Sequence, residues 1–145
     1  MSELLDKVKE KKATICVLGL GRVGLPLASV FASKGIDVIG IDINEERLAS
    51  IRSGKCPFYD PILQENMDVS CNSGKLTVES DLDKIKDRID VIIVTVGTPT
   101  TLGNSVDYSQ VYTALEEVCK VDLRNNPLRC ARSPCLKMTR KIYPK

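Results

Sequence analysis

A doubly wound α/β fold on a parallel sheet is what this sequence predicts, and three observations carry the prediction. Runs rich in Val, Ile and Leu recur at 14–18, 37–41, 76–78 and 91–96, apolar on both faces as a helix-covered parallel sheet requires. Segments with apolar residues at helical spacing alternate with them. Gly19, Gly21 and Gly24 stand in G-x-G-x-x-G spacing between the first strand and the first of those helices. That is the turn of a Rossmann-type sheet. The same reading expects the sheet to be incomplete after its fourth strand.

In order, 2–12 reads as a short charged helix within an N-terminal extension covering residues 1–13. The first strand, 14–18, enters the glycine turn. From about Arg22 to Lys34, Val23, Leu27, Val30 and Phe31 recur at helical spacing, with Pro26 near the first turn and Gly35 as the stop. The second strand, 37–41, delivers Asp42. Asn44 is a good N-cap for a helix over 45–53, with Glu45 and Glu46 favouring its dipole and Ile43 placed to staple against Leu48. Residues 55–74 read as mostly irregular, with a short helix over 62–67 and a loop carrying Phe58 and Tyr59. A third strand at 76–78, a short helix capped by Asp81 and a fourth strand at 91–96 follow. Asp107 caps a last helix whose stripe of Tyr108, Val111, Tyr112, Leu115, Val118 and Cys119 is read as core.

Composition bounds the class. The 145 residues are 43% hydrophobic and 28% charged, as in one soluble globular domain. No run reaches membrane-span length and 1–12 has no secretory apolar region, so the sequence places the protein in the cytoplasm. There the six cysteines are expected as free thiols. Cys130 and Cys135 lack the histidine or second close cysteine pair of a zinc site, so no metal is expected. The net charge of +2 averages two unlike parts: residues 123–145 hold seven Lys or Arg and no acid, which leaves 1–122 at −5.

The glycines point to phosphates. Gly19 permits the turn, Gly21 lets the backbone close on a pyrophosphate, and Gly24 lets helix pack on strand, while the helix N-terminus attracts the anion. Asp42 follows Gly19 by 23 positions, near the spacing at which an acid meets the adenosine ribose 2′-OH. Its charge would repel a 2′-phosphate, which favours NAD over NADP; Arg47 tempers that preference. Thr98, after the fourth strand, is expected to face the cofactor from the carboxyl edge of the sheet.

Taken together, Ile15 to Ala28 with its Gly24-Leu25-Pro26, then Asp42-Ile43-Asn44 with Arg47, Pro57-Phe58-Tyr59-Asp60-Pro61, Val96-Gly97-Thr98-Pro99 and Val106-Asp107-Tyr108-Ser109 resemble the UDP-glucose/GDP-mannose dehydrogenase family. The matches fall in the family's order over about 14–124. The resemblance implies an NAD-binding domain of an enzyme that takes the C6 hydroxymethyl of a nucleotide sugar to a carboxylate with two NAD, through a cysteine-bound intermediate. By position it implies cofactor contacts at Arg22, Val23, Asp42, Arg47 and Thr98. Arg22 stands where the family commonly has Tyr, Asp60 where it has Glu and Ile62 where it has Gly. None of the six cysteines stands in the family's glycine-rich Gly-x-x-x-Cys-x-x-Asp setting, so no catalytic residue is assigned and the chain is expected to be inactive alone, with a nucleotide sugar bound only alongside a missing C-terminal half.

After Arg124 the family should enter a fifth strand, but residues 125–135 have no β-branched residue and two prolines, Pro127 and Pro134, a composition that opposes a central strand. Residues 125–145 are therefore expected to be an irregular basic tail, produced by a break in the reading frame near Arg124. The fourth strand is then an unpaired apolar edge prone to self-association. Binding of nucleic acid or a membrane by the tail is not expected, since its basic residues lack interleaved aromatics. The alternative from another class is a regulatory nucleotide-binding module of the potassium-transport type, which also carries Gly-x-Gly-Arg-x-Gly. The Pro57–Pro61 and Gly97-Thr98-Pro99 segments favour the dehydrogenase.

Overall fold

The computed structural model describes residues 2–103, 105–120 and 129–132. Helix α1 (Ser2–Lys9) precedes β1 (Thr14–Leu18), α2 (Gly24–Ser33), β2 (Asp37–Ile41), α3 (Glu45–Arg52), α4 (Pro61–Asn72) and β3 (Leu76–Glu79). Two single 3₁₀ turns, Leu82–Lys84 and Lys86–Arg88, lead to β4 (Val91–Val94), α5 (Ser109–Lys120) and β5 (Arg129–Arg132). The sheet runs β3-β2-β1-β4-β5 with every pairing parallel. β1 therefore sits in the middle and its carboxyl end opens at the point where strand order reverses, where ligands of such sheets bind.

The period of two along the strands sorts the core into two layers. Ile15, Val17, Val38, Leu76 and Val78 face α2, α3 and α4, packing with Leu25, Ala28, Leu48, Leu63 and Met67. Cys16, Leu18, Ile39, Ile41, Ile92 and Val94 face the other way, against Leu82, Ile85, Ala114 and Val118. Burial of the Cys16 thiol pushes its pKa up to about 12. Cys16, Cys56 and Cys71 are free thiols. Among the described residues no helix is long and apolar enough to cross a membrane.

Several expectations need correction. The segment read as mostly irregular contains α4, twelve residues long, because Pro61 occupies its first turn and Asp60 caps it, the Asp60 carboxylate accepting from the Leu63 N–H at 3.0 Å. Pro61 thus belongs to the first turn of a helix longer than the one expected over 62–67. The Ile43–Leu48 staple is absent: Leu48 is buried while Ile43 is 94% exposed, although Asn44 caps α3 as expected, accepting from Arg47 N–H. In α5, Val111, Leu115 and Val118 are buried, but Tyr112 and Cys119 face outward.

The sheet does not stop at β4. Arg129–Arg132 pairs with β4 from Val91↔Arg129 to Val94↔Arg132, so the edge expected to drive self-association is covered. Ladder hydrogen bonds come from the backbone, and the four residues of β5, which lies between Pro127 and Pro134, all keep their N–H groups. The rest of the expected irregular tail, residues 125–128 and 133–145, lies outside the described residues.

Candidate functional site

β1 runs straight into the glycine loop, which is clamped from both sides. Gly19 N–H donates to Ile41 O of β2 at 2.7 Å, and Thr95 N–H donates to Leu18 O at 2.8 Å. The Thr95 hydroxyl donates to Gly19 O at 2.7 Å. Gly19 has φ +98°, and a Cβ there would sit 3.0 Å from Thr95 C. A Cβ on Gly24 would lie 1.8 Å from Gly19 O and 2.4 Å from Thr95 Oγ1, so only glycine admits this approach of helix to strand. Gly21 differs: nothing lies within 4 Å of where its Cβ would be. The packing of the fold does not need a glycine at Gly21, whose bare backbone lines the open space above the loop.

α2 starts at this loop with no side-chain cap and no acid in its first turn. Its positive end is left for an exogenous anion. β2 carries Asp42 to the same place. The carboxylate is 6% exposed and accepts three hydrogen bonds: from Leu20 N–H at 2.7 Å, from Asn44 N–H at 2.9 Å and from Arg47 Nη1 at 2.8 Å. Burial of a charge requires such partners, and here they tie the glycine loop to the start of α3. A cavity of about 770 Å³ opens above, with Gly19, Gly21, Asp42, Arg47, Thr95 and Gln110 among its walls, in the size range of small-molecule and cofactor sites. The uncapped helix, the bare Gly21 backbone and the buried acid fit a dinucleotide with its pyrophosphate on the loop and a ribose at Asp42.

Of the residues singled out from sequence, Gly19, Gly21, Asp42 and Arg47 line this cavity. Gly24 acts beneath it by close packing, Val23 is the exposed N-cap residue of α2, and Arg22 is exposed beside it. Thr98 is half-buried and is not among the lining residues. β4 ends at Val94, two residues short of the expected end, so Thr95, Val96 and Gly97 occupy the carboxyl edge instead. Sequence reasoning missed Thr95, whose hydroxyl holds the loop, and named Phe58 only as part of a loop, without its two arginine contacts. The Phe58 ring packs on the core and carries two cations, Arg22 Cζ at 5.3 Å and Arg47 Cζ at 5.7 Å from its centroid.

A family model described as the NAD binding domain of the UDP-glucose/GDP-mannose dehydrogenase family matches residues 13–135, reaching β5 and beyond the point where the sequence resemblance ends. UDP-N-acetyl-D-mannosamine dehydrogenase of Methanococcus aeolicus is 38% identical over 144 residues, 96% of this chain and 32% of the relative. Among solved structures, a UDP-N-acetyl-mannosamine dehydrogenase from Staphylococcus aureus superposes with a TM-score of 0.76 at 30% identity, covering 89% of this chain and 30% of that one. GDP-mannose dehydrogenase from Pseudomonas aeruginosa gives 0.74 at 26% identity, covering 81% and 28%. The chain thus spans about a third of the length of these relatives. The family match decides against the potassium-transport alternative.

Proposed function

The chain belongs to the UDP-glucose/GDP-mannose dehydrogenase family and carries its NAD-binding domain, and from that premise we propose that it is the cofactor-binding portion of a nucleotide-sugar 6-dehydrogenase. In that reaction the C6 hydroxymethyl of a UDP-sugar becomes a carboxylate, water supplying the second oxygen and two NAD each accepting a hydride. This chain's own part is to hold and orient the dinucleotide: the loop at Gly19–Gly24 and the α2 N-terminus take the pyrophosphate, and Asp42 with Arg47 takes the adenosine ribose. Arg22, Val23 and Thr98 join as outer contacts, Thr98 through movement of the loop after β4. The nucleotide sugar binds only together with the remaining part of the enzyme, and alone the chain turns nothing over. The free thiols suit the reducing cytoplasm, where we place it.

The observation that carries this reading is the buried Asp42 carboxylate, 2.7 Å from the Leu20 N–H of the glycine loop and at the rim of the cavity. Titration calorimetry with NAD tests it. Binding is expected, and Asp42→Ala weakens it by about tenfold or more, the worth of a hydrogen bond to a charged group. With UDP-glucose or UDP-N-acetylmannosamine and NAD, the isolated chain is expected to form no NADH. Steady NADH formation would refute the inactivity, and absence of NAD binding would refute the cofactor role.

A further inference from the structure

Helix α2 has the wrong composition for a helix open to water. Its residues, Gly24–Ser33, include no charged side chain, whereas a surface helix ordinarily turns charged residues to the solvent. Leu25, Ala28 and Ala32 pack into the core, yet Val23 at the N-cap and Val30 two turns further on both face outward. A helix that is apolar all round belongs where it is covered on every side. α4 lies alongside and repeats the pattern. The Ser70 hydroxyl donates to Ser29 O at 2.9 Å, which fixes the crossing of the two helices. Val30 and Val69 are the residues next to those serines, and Ile62 stands two turns before Val69 on the same stripe. Val23, Val30, Ile62 and Val69 are between 44% and 73% exposed.

At one end of this face Tyr59 projects fully into solvent, beside the Phe58 ring that carries Arg22 and Arg47. Tyrosines are enriched in interface cores. The apolar face therefore starts at the rim of the dinucleotide cleft and runs down the outside of α2 and α4. What covers it follows from size and charge. The chain accounts for 32% of the Methanococcus aeolicus relative and 30% of the Staphylococcus aureus one, so about two-thirds of each lies outside the matched part. α2 and α4 have 10 and 12 residues. At 1.5 Å per residue and about 9 Å between axes they offer an outer face of roughly 300 Å². A free-standing dimer buries about 800 Å² per partner. Residues 1–122 also carry a net charge of −5, which sets two copies against each other. A lobe that docks here and also closes on the cleft draws its remaining area from the cleft, and hydride transfer requires the sugar-bearing lobe at that mouth.

Resting on the reading that the chain is the cofactor-binding portion of a larger nucleotide-sugar dehydrogenase, we propose that the outer face of α2 and α4 is the docking surface for the sugar-binding lobe of that enzyme. The lobe meets it with an uncharged apolar face of its own. Val30 and Val69 sit at the centre of the contact, and Tyr59 and Ile62 carry it to the cleft.

The test joins this chain to the part of the Methanococcus aeolicus relative that it does not match, and compares the joined protein with the full chain alone. Val69→Cys should be alkylated by a maleimide about tenfold or more slowly in the joined protein, followed by mass spectrometry of its peptide. Val30→Lys combined with Val69→Lys should leave the chain alone with its NAD affinity and a thermal midpoint within about 2 °C of the parent, as exposed substitutions do. The same pair should lower the midpoint of the joined protein by about 5 °C or more. Val30→Glu with Val69→Glu should act alike, because apolar contact is lost and no charge pair is involved. Equal alkylation in the two proteins, or a joined protein no more sensitive to the substitutions than the chain alone, would overturn the proposal. If the joined protein does not fold, the two pieces are mixed and followed by sedimentation velocity. Association that the Lys pair abolishes upholds the docking surface; no association, or association that the Lys pair leaves intact, overturns it. A doubling of the chain's own mass that the Lys pair abolishes gives the face to a second copy and also overturns it. Calorimetry with NAD on the chain alone tests the cofactor reading separately, because neither Val30 nor Val69 lines the cleft.

Discussion

At the scale of single residues, the glycine loop divides its labour between folding and binding. Gly24 faces Gly19 O and Thr95 Oγ1 at distances no methyl group tolerates. Gly24→Ala is therefore expected to cost about 3 kcal/mol or more, in the upper range of overpacked sites, visible as a large fall in the thermal midpoint. Gly21→Ala meets open space, so its unfolding free energy should stay within about 1 kcal/mol of the parent while NAD affinity drops. Equal effects of the two substitutions on stability would contradict this division. Cys16 gives a second residue-scale test. Its folded pKa of about 12 lies above the ordinary 9.0, so between those values the unfolded chain has lost a proton that the folded chain keeps. Stability then falls as pH rises above about 9. Denaturant melts of parent and Cys16→Ala at rising pH should show a steeper decline in the parent.

At the scale of elements, what was legible in the sequence was what local chemistry writes. β1 and β2 have the expected bounds because apolar runs end at glycine or at an acid, and α3 begins where Asn44 supplies a cap. α4 was legible only in part, since Pro57 and Pro61 look alike in composition and differ only in position relative to the helix. Its cap is testable: Asp60→Ala should cost about 1 kcal/mol and, by loosening the Phe58 loop, reduce the order of Arg22 and Arg47, measured as a lower melting point. The Arg22–Phe58–Arg47 stack was beyond sequence reading because it joins the glycine loop, α3 and the loop before α4, and no local rule encodes such a meeting. Thr95 escaped notice for a like reason: its partner, Gly19 O, lies 76 positions away.

At the scale of the whole molecule, the β3-β2-β1-β4-β5 order places β4 inside the sheet. Strand β5 escaped the sequence reading because a run without β-branched residues signals no strand, yet its backbone still completes β4. Ala131 pairs with Ile93, and Ala131→Pro removes one N–H and crowds the ladder. The β4 edge should then open and the protein associate, seen by light scattering coupled to sizing chromatography as a mass above the monomer. A variant that keeps the parent's mass at all concentrations would show that β5 is dispensable there.

The tie between Thr95 and the first loop reaches beyond geometry to the order in which the chain acquires its properties. Strand β4 joins β1 only after the chain between them has been threaded around the opposite edge of the sheet, and contacts so far apart form slowly. A nascent chain that has made β1, α2 and β2 holds the whole glycine motif and Asp42, but its loop still lacks the Thr95 hydroxyl. Cofactor affinity should therefore arise late and together with the completed sheet. Dinucleotide added during refolding would stabilise the finished state alone, by RT ln(1 + [L]/Kd), and would act as a selective ratchet on the last step of assembly.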